Sequence, residues 1–357
     1  MKKKLRQILQ TLLSALAVLA FGGGILYAPE QAAQGVRDGL SLCGQVVIPS
    51  LFPFLVLSAF LVQSGLAQRA GRLLSPLTQA VFRLPGAAGS VVFMSLIGGY
   101  PIGARMTAQL LDASLVTERQ ARRMLLFCVN SGPAFLISAV GAAMLQSRRA
   151  GFLLCAALTS SALLTGFFTR FLPQREAGRP QPEQQASQPA CSMAGALVEA
   201  AAQGCAGIVS VCVWVILFSC AAALLRLLPL SEPALLLVQC LLEVTSGCAG
   251  AAGKAPLPVL AFILGWGGLC VHCQILRDVS KAGLSLPLFF CARVTNGLLA
   301  SLICTGLLRL FPCETTAFSN HVRALPEAFA ASAPVAAGMM LMCALLILEV
   351  DSSRKKC

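Results

Sequence analysis

Three ionisable side chains sit deep inside otherwise apolar runs of the chain: Arg105, Glu243 and Arg293. A charge at bilayer depth costs about 2.5–3.5 kcal/mol on insertion scales, so such residues are seldom kept there without a job. Arginine offers a planar fork of donors suited to a carboxylate, and Glu243 offers an acceptor or a proton site. The plainer alternatives are that one arginine pairs structurally with Glu243, or that Arg105 snorkels toward the interface. His272 could carry a proton near neutral pH, although a lone histidine is more often a hydrogen-bonded packing residue.

Each of these groups lies beside a helix breaker. Gly98-Gly99-Tyr100-Pro101-Ile102-Gly103 precedes Arg105, and Asn130-Ser131-Gly132-Pro133 follows in the same half. Val244-Thr245-Ser246-Gly247 follows Glu243, Gly265-Trp266-Gly267-Gly268 precedes His272, and Asn296-Gly297 follows Arg293. A broken helix frees backbone N–H and C=O groups, which can replace the water around a solute in mid-membrane. Glycine and proline can also serve only close packing or kinks. Their placement in both halves favours a site, with Gly99, Tyr100, Pro101, Gly103, Arg105, Asn130, Ser131, Gly132, Glu243, Gly267, His272, Arg293 and Asn296 as candidate solute-binding residues.

These breakers must be positioned by helices in lipid. The chain of 357 residues is 57% hydrophobic and only 11% charged, against about 25% charged in soluble domains. One globular core cannot hide that much apolar surface. A span needs about 20 apolar residues. Such stretches occur at 7–29, 39–68, 84–104, 124–147, 150–169, 200–225, 255–276 and 328–348, with 233–253 and 282–308 qualifying if one ionisable residue each is tolerated. The expected fold is therefore all-α: a multi-pass protein of about ten membrane segments, some re-entrant, with a lipid bilayer as partner. Residues 1–29 also read as a signal peptide, but the length of the run favours an uncleaved first helix. Residues 67–83 alternate basic and apolar positions and suit the membrane interface.

The net charge of +13 comes largely from basic residues at the edges of apolar runs, where they orient spans. No aromatic-interleaved basic stretch is present, which argues against nucleic acid as a partner. Most of the 16 cysteines are scattered in apolar runs as small hydrophobes. Cys270-Val271-His272-Cys273 is a lone C-x-x-C without a second ligand pair, so neither a metal nor any other cofactor is expected. No P-loop, H-E-x-x-H or G-x-S-x-G is present, and the chain is not expected to be an enzyme.

The organisation expected is a first membrane helix (1–34), a first membrane repeat (35–172), a polar Pro/Gln-rich linker (173–195), a second repeat (196–311), and a C-terminal loop with a last helix (312–357). An ungapped register pairs Gly99 with Gly265, Asp112 with Asp278 and Asn130 with Asn296, which suggests a duplication. A re-entrant 84–104 would keep Arg69, Arg72, Arg83, Arg119–Arg123 and the linker cytoplasmic, and the halves would be inverted repeats.

The strings LFPFLVLSAFL (51–61), SLIGGYPIGARMTAQL (95–110), FCVNSGPAFLISAVGAAML (127–145), LEVTSG (242–247) and FILGWGGLCVHCQI (262–275) resemble the sporulation integral membrane protein YlbJ (SpoVV) family, whose members carry nucleoside-recognition Gate repeats. The resemblance covers about residues 35–310. It implies a multi-pass protein of the bacterial outer forespore membrane, made in the mother cell, that moves dipicolinic acid into the spore. On that reading Arg105 and Arg293 would neutralise the dipicolinate carboxylates, with Glu243 or His272 coupling protons. A transporter or channel for another solute such as nucleosides, a non-transporting scaffold, and a thiol oxidoreductase built on Cys270 and Cys273 are the rivals. Homo-oligomers are compatible with all of them.

Overall fold

The computed structural model describes residues 2–171 and 192–313, and every regular element among them is helical. The expected linker (173–195) lies largely outside the described residues, although α9 already begins within it, at Met193. The expected final helix (328–348) lies wholly outside them. The first region runs α1 (Lys2–Tyr27), α2 (Pro29–Leu42), a π-helical turn (Cys43–Val47), α3 (Ile48–Gln63), α4 (Leu66–Phe82), α5 (Gly86–Gly98), α6 (Tyr100–Asp112), α7 (Glu118–Leu125), a π-helical segment (Ala134–Met144) and α8 (Arg148–Thr169). The second runs α9 (Met193–Leu225), α10 (Glu232–Leu242), α11 (Val244–Ala251), α12 (Leu257–Trp266), α13 (Gly268–Lys281) and α14 (Leu286–Leu310).

Local chemistry explains many of the boundaries. Proline opens α2, α3, α6, α10, α12 and α14, where its missing N–H costs nothing and its φ is already helical. Thr117 and Gln120 form a capping box on α7, and Ser147 and Ser192 cap α8 and α9.

Four helical stretches are long and apolar enough to cross a membrane: α8, α9, α12 with α13, and α14; six qualify if two bent pairs count as one span each. Among the described residues the count is thus below the expected ten. Part of the shortfall is that 84–104 and 233–253 do not run straight. α5 and α6 fold back on each other, with Gly103 against Ser95 and Gly98 against Ile102. α10 and α11 do the same, with Gly247 against Cys240 and Gly250 against Leu236. Each is a helical hairpin, one with its tip at Gly99 and the other at Glu243. Large apolar side chains such as Leu19, Phe93, Val198 and Leu302 face outward, as the lipid-exposed surface of an integral membrane protein requires.

In chain order each region holds a long helical stretch (α2–α3; α9), a hairpin (α5–α6; α10–α11), helices flanking an interruption (α7 and the π segment; α12–α13) and a last long helix (α8; α14), while α1 and α4 of the first region have no counterpart among the described elements of the second. This order pairs Gly103 with Gly247 and Gly132 with Gly268. The ungapped register sets Gly99 against Gly265, two residues before Gly267 at the α12–α13 break, and Asn130, in the unwound stretch, against Asn296 inside continuous α14.

Contacts fix the directions. Gly35 of α2 meets Cys220 and Ala223, while Gly204 meets Val56 of α3, so α9 runs antiparallel to α2–α3. Small residues let these backbones approach closely. Ser161 bonds Asn296, and Ser147 lies 3.6 Å from Cys313 through their Oγ and Sγ atoms, so α8 and α14 are antiparallel as well. One end of the bundle gathers Arg83, Arg122, Arg123, Asp112 and Lys281: Arg123 donates to the Phe82 and Arg83 carbonyls, Arg122 to that of Ala282, and Lys281 pairs with Asp112. The α5–α6 hairpin opens toward that end. The α10–α11 hairpin leads into the start of α12, at the opposite end.

Candidate functional site

Both hairpin tips, the first interruption and α13 converge on one cleft of about 670 Å³, counting its part open to solvent. Its wall takes Ile97, Gly98, Gly99, Tyr100 and Pro101 from the first tip and Glu243, Val244 and Thr245 from the second. Gly132, Ala134 and Phe135 come from the first interruption, and Val271 and Gln274 from α13 after the second. Val46, Val47 and Leu51 near the π-helical turn, with Val211 and Val215 of α9, close it with apolar surface. A mostly apolar cleft with a few convergent polar groups is the ordinary form of a small-molecule site.

The first tip turns at Gly99, whose φ of +94° is costly for any residue with a Cβ. Beside it, the buried Tyr100 hydroxyl donates to the Leu264 carbonyl of α12 and accepts from the Ser131 hydroxyl. One phenol therefore joins the first hairpin, the first interruption and the second interrupted span. Gly103 leaves no room for a side chain, since a Cβ there would overlap the Cys128 carbonyl oxygen.

The second tip is stabilised from within. The Glu243 side chain caps α11, accepting from the Thr245 N–H at 2.9 Å and the Ser246 N–H at 2.6 Å. A carboxylate on free first-turn amides is a favourable N-cap, and among the described residues it is the one charged side chain lining the cleft.

The first interruption leaves residues 129–132 outside any helix, and its freed carbonyls find a cation. Arg293, fully buried on α14, donates to the Val129 carbonyl and, at 3.1 Å, to the Leu126 carbonyl, with its guanidinium 6.0 Å from the Phe289 ring centre. Asn130 donates from Nδ2 to the Phe127 carbonyl at 2.6 Å. At the second interruption Gly267 and Gly268 take φ of +87° and +78°, in the left-handed region that glycine accepts freely.

Of the residues singled out in the sequence, Gly99, Tyr100, Pro101, Gly132 and Glu243 line the cleft. Ser131 and Asn130 stand one layer behind, as hydrogen-bond partners of Tyr100 and of the interrupted backbone. Gly103 packs inside the first hairpin, and Gly267 packs against the Tyr100 ring. Asn296 accepts from Ser161 in a buried pair at 2.6 Å. His272 sits among Trp266, Phe289 and Phe290 with Nε2 2.9 Å from the Trp266 carbonyl, as a packing histidine would. Arg105 and Arg293 do not line the cleft. Arg105 reaches the Gly207 carbonyl at 3.2 Å instead. Sequence reasoning misses Thr245 as a lining residue, although its string carries a break, and it misses Gln274, two residues beyond His272, which carries no helix-breaking signal. No group of three or more metal-ligating side chains occurs among the described residues.

Residues 45–148 match the family model described as Gate, nucleoside recognition, a stretch that contains the first hairpin tip and the first interruption. The chain is also similar to the sporulation integral membrane protein YlbJ of Bacillus subtilis (strain 168), with 33% identity over 168 residues, or 47% of this chain and 41% of that protein. The chain thus spans less than half the length of that curated relative. No solved structure matches it.

Proposed function

We propose that this protein is a membrane transporter that carries a small organic anion through the cleft, and that the anion is dipicolinate, moved across the outer forespore membrane during sporulation. One observation carries the anion reading: three helix N-termini, those of α6, the π segment and α11, bring their first residues to the same cleft wall. Aligned peptide dipoles place partial positive charge at such ends, which favours an anion. Glu243 occupies the α11 end and leaves the other two to the solute. The sporulation setting comes from the similarity to YlbJ.

The directions of the elements support an inverted repeat. Corresponding long and final spans run antiparallel, and the two hairpins open toward opposite ends, as a two-fold axis across the spans would arrange them. The end with Arg83, Arg122 and Arg123 would face the cytoplasm. Neither Arg105 nor Arg293 neutralises the carboxylates at the cleft wall in this reading, since both donate to backbone carbonyls away from it.

Dipicolinate uptake into proteoliposomes, measured with and without a pH gradient, tests the proposal. Uptake above that of empty liposomes, reduced at least tenfold by Gly99→Val, is the expected result; no uptake in either condition overturns it. A neutral solute such as a nucleoside is the second reading, favoured by Glu243 as the one charged side chain on the wall. Competition by nucleosides but not by aromatic dicarboxylates would select it.

A further inference from the structure

Beyond the cleft, a line of polar side chains continues toward the arginine-rich end between α6, α13 and α9. On α6, Arg105, Gln109 and Asp112 follow Pro101 at steps of four, four and three residues, a single helical stripe. On α13, Gln274, which lines the cleft, is followed at the same face by Asp278 and Lys281. α6 and α13 run side by side in one direction: Tyr100 meets Gly267 near the start, and Asp112 pairs with Lys281 at the end. On α9, Gly207 accepts from Arg105, and Gln203 Oε1 accepts from the Gln109 amide at 2.9 Å, while Gln203 donates to Glu199 at 3.0 Å.

The charges along this seam interact without closing it. Asp278 lies within electrostatic reach of Arg105, Lys281, Arg277 and Asp112, yet Arg105 forms no ion pair among the described residues. Two buried polar atoms there, Arg105 Nε and Gln109 Oε1, have no protein partner. Buried polar atoms are normally paired, and leaving them unpaired is costly. Two orphans on one seam, continuous with a cleft, suit a route that a polar solute traverses. The rest of the cleft's surroundings, Val46, Val47, Leu51, Val211, Val215 and Phe135, offers no such line.

We infer that the α6–α9–α13 seam is the conduit between the cleft and the arginine-rich end, with Arg105 and Gln109 contacting the anion in transit and the Asp112–Lys281 pair closing the mouth. This rests on the transport reading given above. The experiment measures dipicolinate flux in proteoliposomes beside equilibrium dipicolinate binding to the purified protein, for wild type, Gln109→Glu and Gln109→Trp. Gln109→Glu keeps the size of the side chain and adds a negative charge to the path; Gln109→Trp blocks it sterically. Both should lower flux tenfold or more while binding stays within twofold, and Asp112→Asn should raise passive leak at least twofold. Wild-type flux in a folded Gln109→Glu protein overturns the conduit, as does a parallel loss of binding, which would make Gln109 part of the binding site. A wild-type protein that binds or moves no dipicolinate overturns the transport reading first, and the conduit with it.

Discussion

The two interrupted spans solve one problem by opposite means. The first is unwound over several residues, and its carbonyls are held by Arg293, a side chain from α14 more than 160 positions away. The second is a two-residue turn at Gly267 and Gly268, held by its own φ angles and by the Gly267 N–H bond to the Ile263 carbonyl at 2.9 Å. The hairpin tips differ in the same sense: Tyr100 at the first is tied to Ser131 and Leu264, whereas Glu243 caps its own helix. The first half borrows its support and the second supplies its own. Local devices stand alone; borrowed ones make the two halves depend on each other.

Substitutions can break or sharpen that contrast. The largest effect is expected from Arg293→Met, which leaves two buried carbonyls without donors and should cost roughly 4 kcal/mol, since each such group costs about 1–3 kcal/mol. Thermal melting in detergent measures it; a loss below about 1 kcal/mol would mean the first interruption supports itself after all. Gly103→Ala comes next, at about 3 kcal/mol, because the added Cβ meets the Cys128 carbonyl and Ser95 within a packed hairpin. Tyr100→Phe should cost about 2 kcal/mol by abandoning the Leu264 carbonyl and Ser131, with a matching loss of flux. Glu243→Gln should be mildest for folding, at about 1 kcal/mol, because the amide oxygen still caps one N–H. If Glu243→Gln melts lower than Arg293→Met, the contrast is reversed.

The same contrast explains what could be read from the sequence. Gly99, Gly267 and the Asn130-Ser131-Gly132-Pro133 string announce their breaks, because glycine and proline act on the backbone where they stand. The helical content follows from the apolar runs and the spacing of the breakers. The partner of Arg293 carries no such signal: a guanidinium on backbone carbonyls leaves no complementary acid to find, so a structural role and a ligand role look alike in the sequence. His272 is a similar case, since its aromatic neighbours come from both α12 and α14. Gln274 is hidden because its role depends on which face of α13 meets the cleft.

The shared hydroxyl of Tyr100 also constrains motion. A hairpin, an unwound segment and α12 meet on one oxygen, so displacing any of them alone would abandon a buried bond. These pieces should travel together, like a carriage on a track. The glycine-lined contacts of α2–α3 with α9, at Gly35, Gly39 and Gly204, are where the smooth rails would lie.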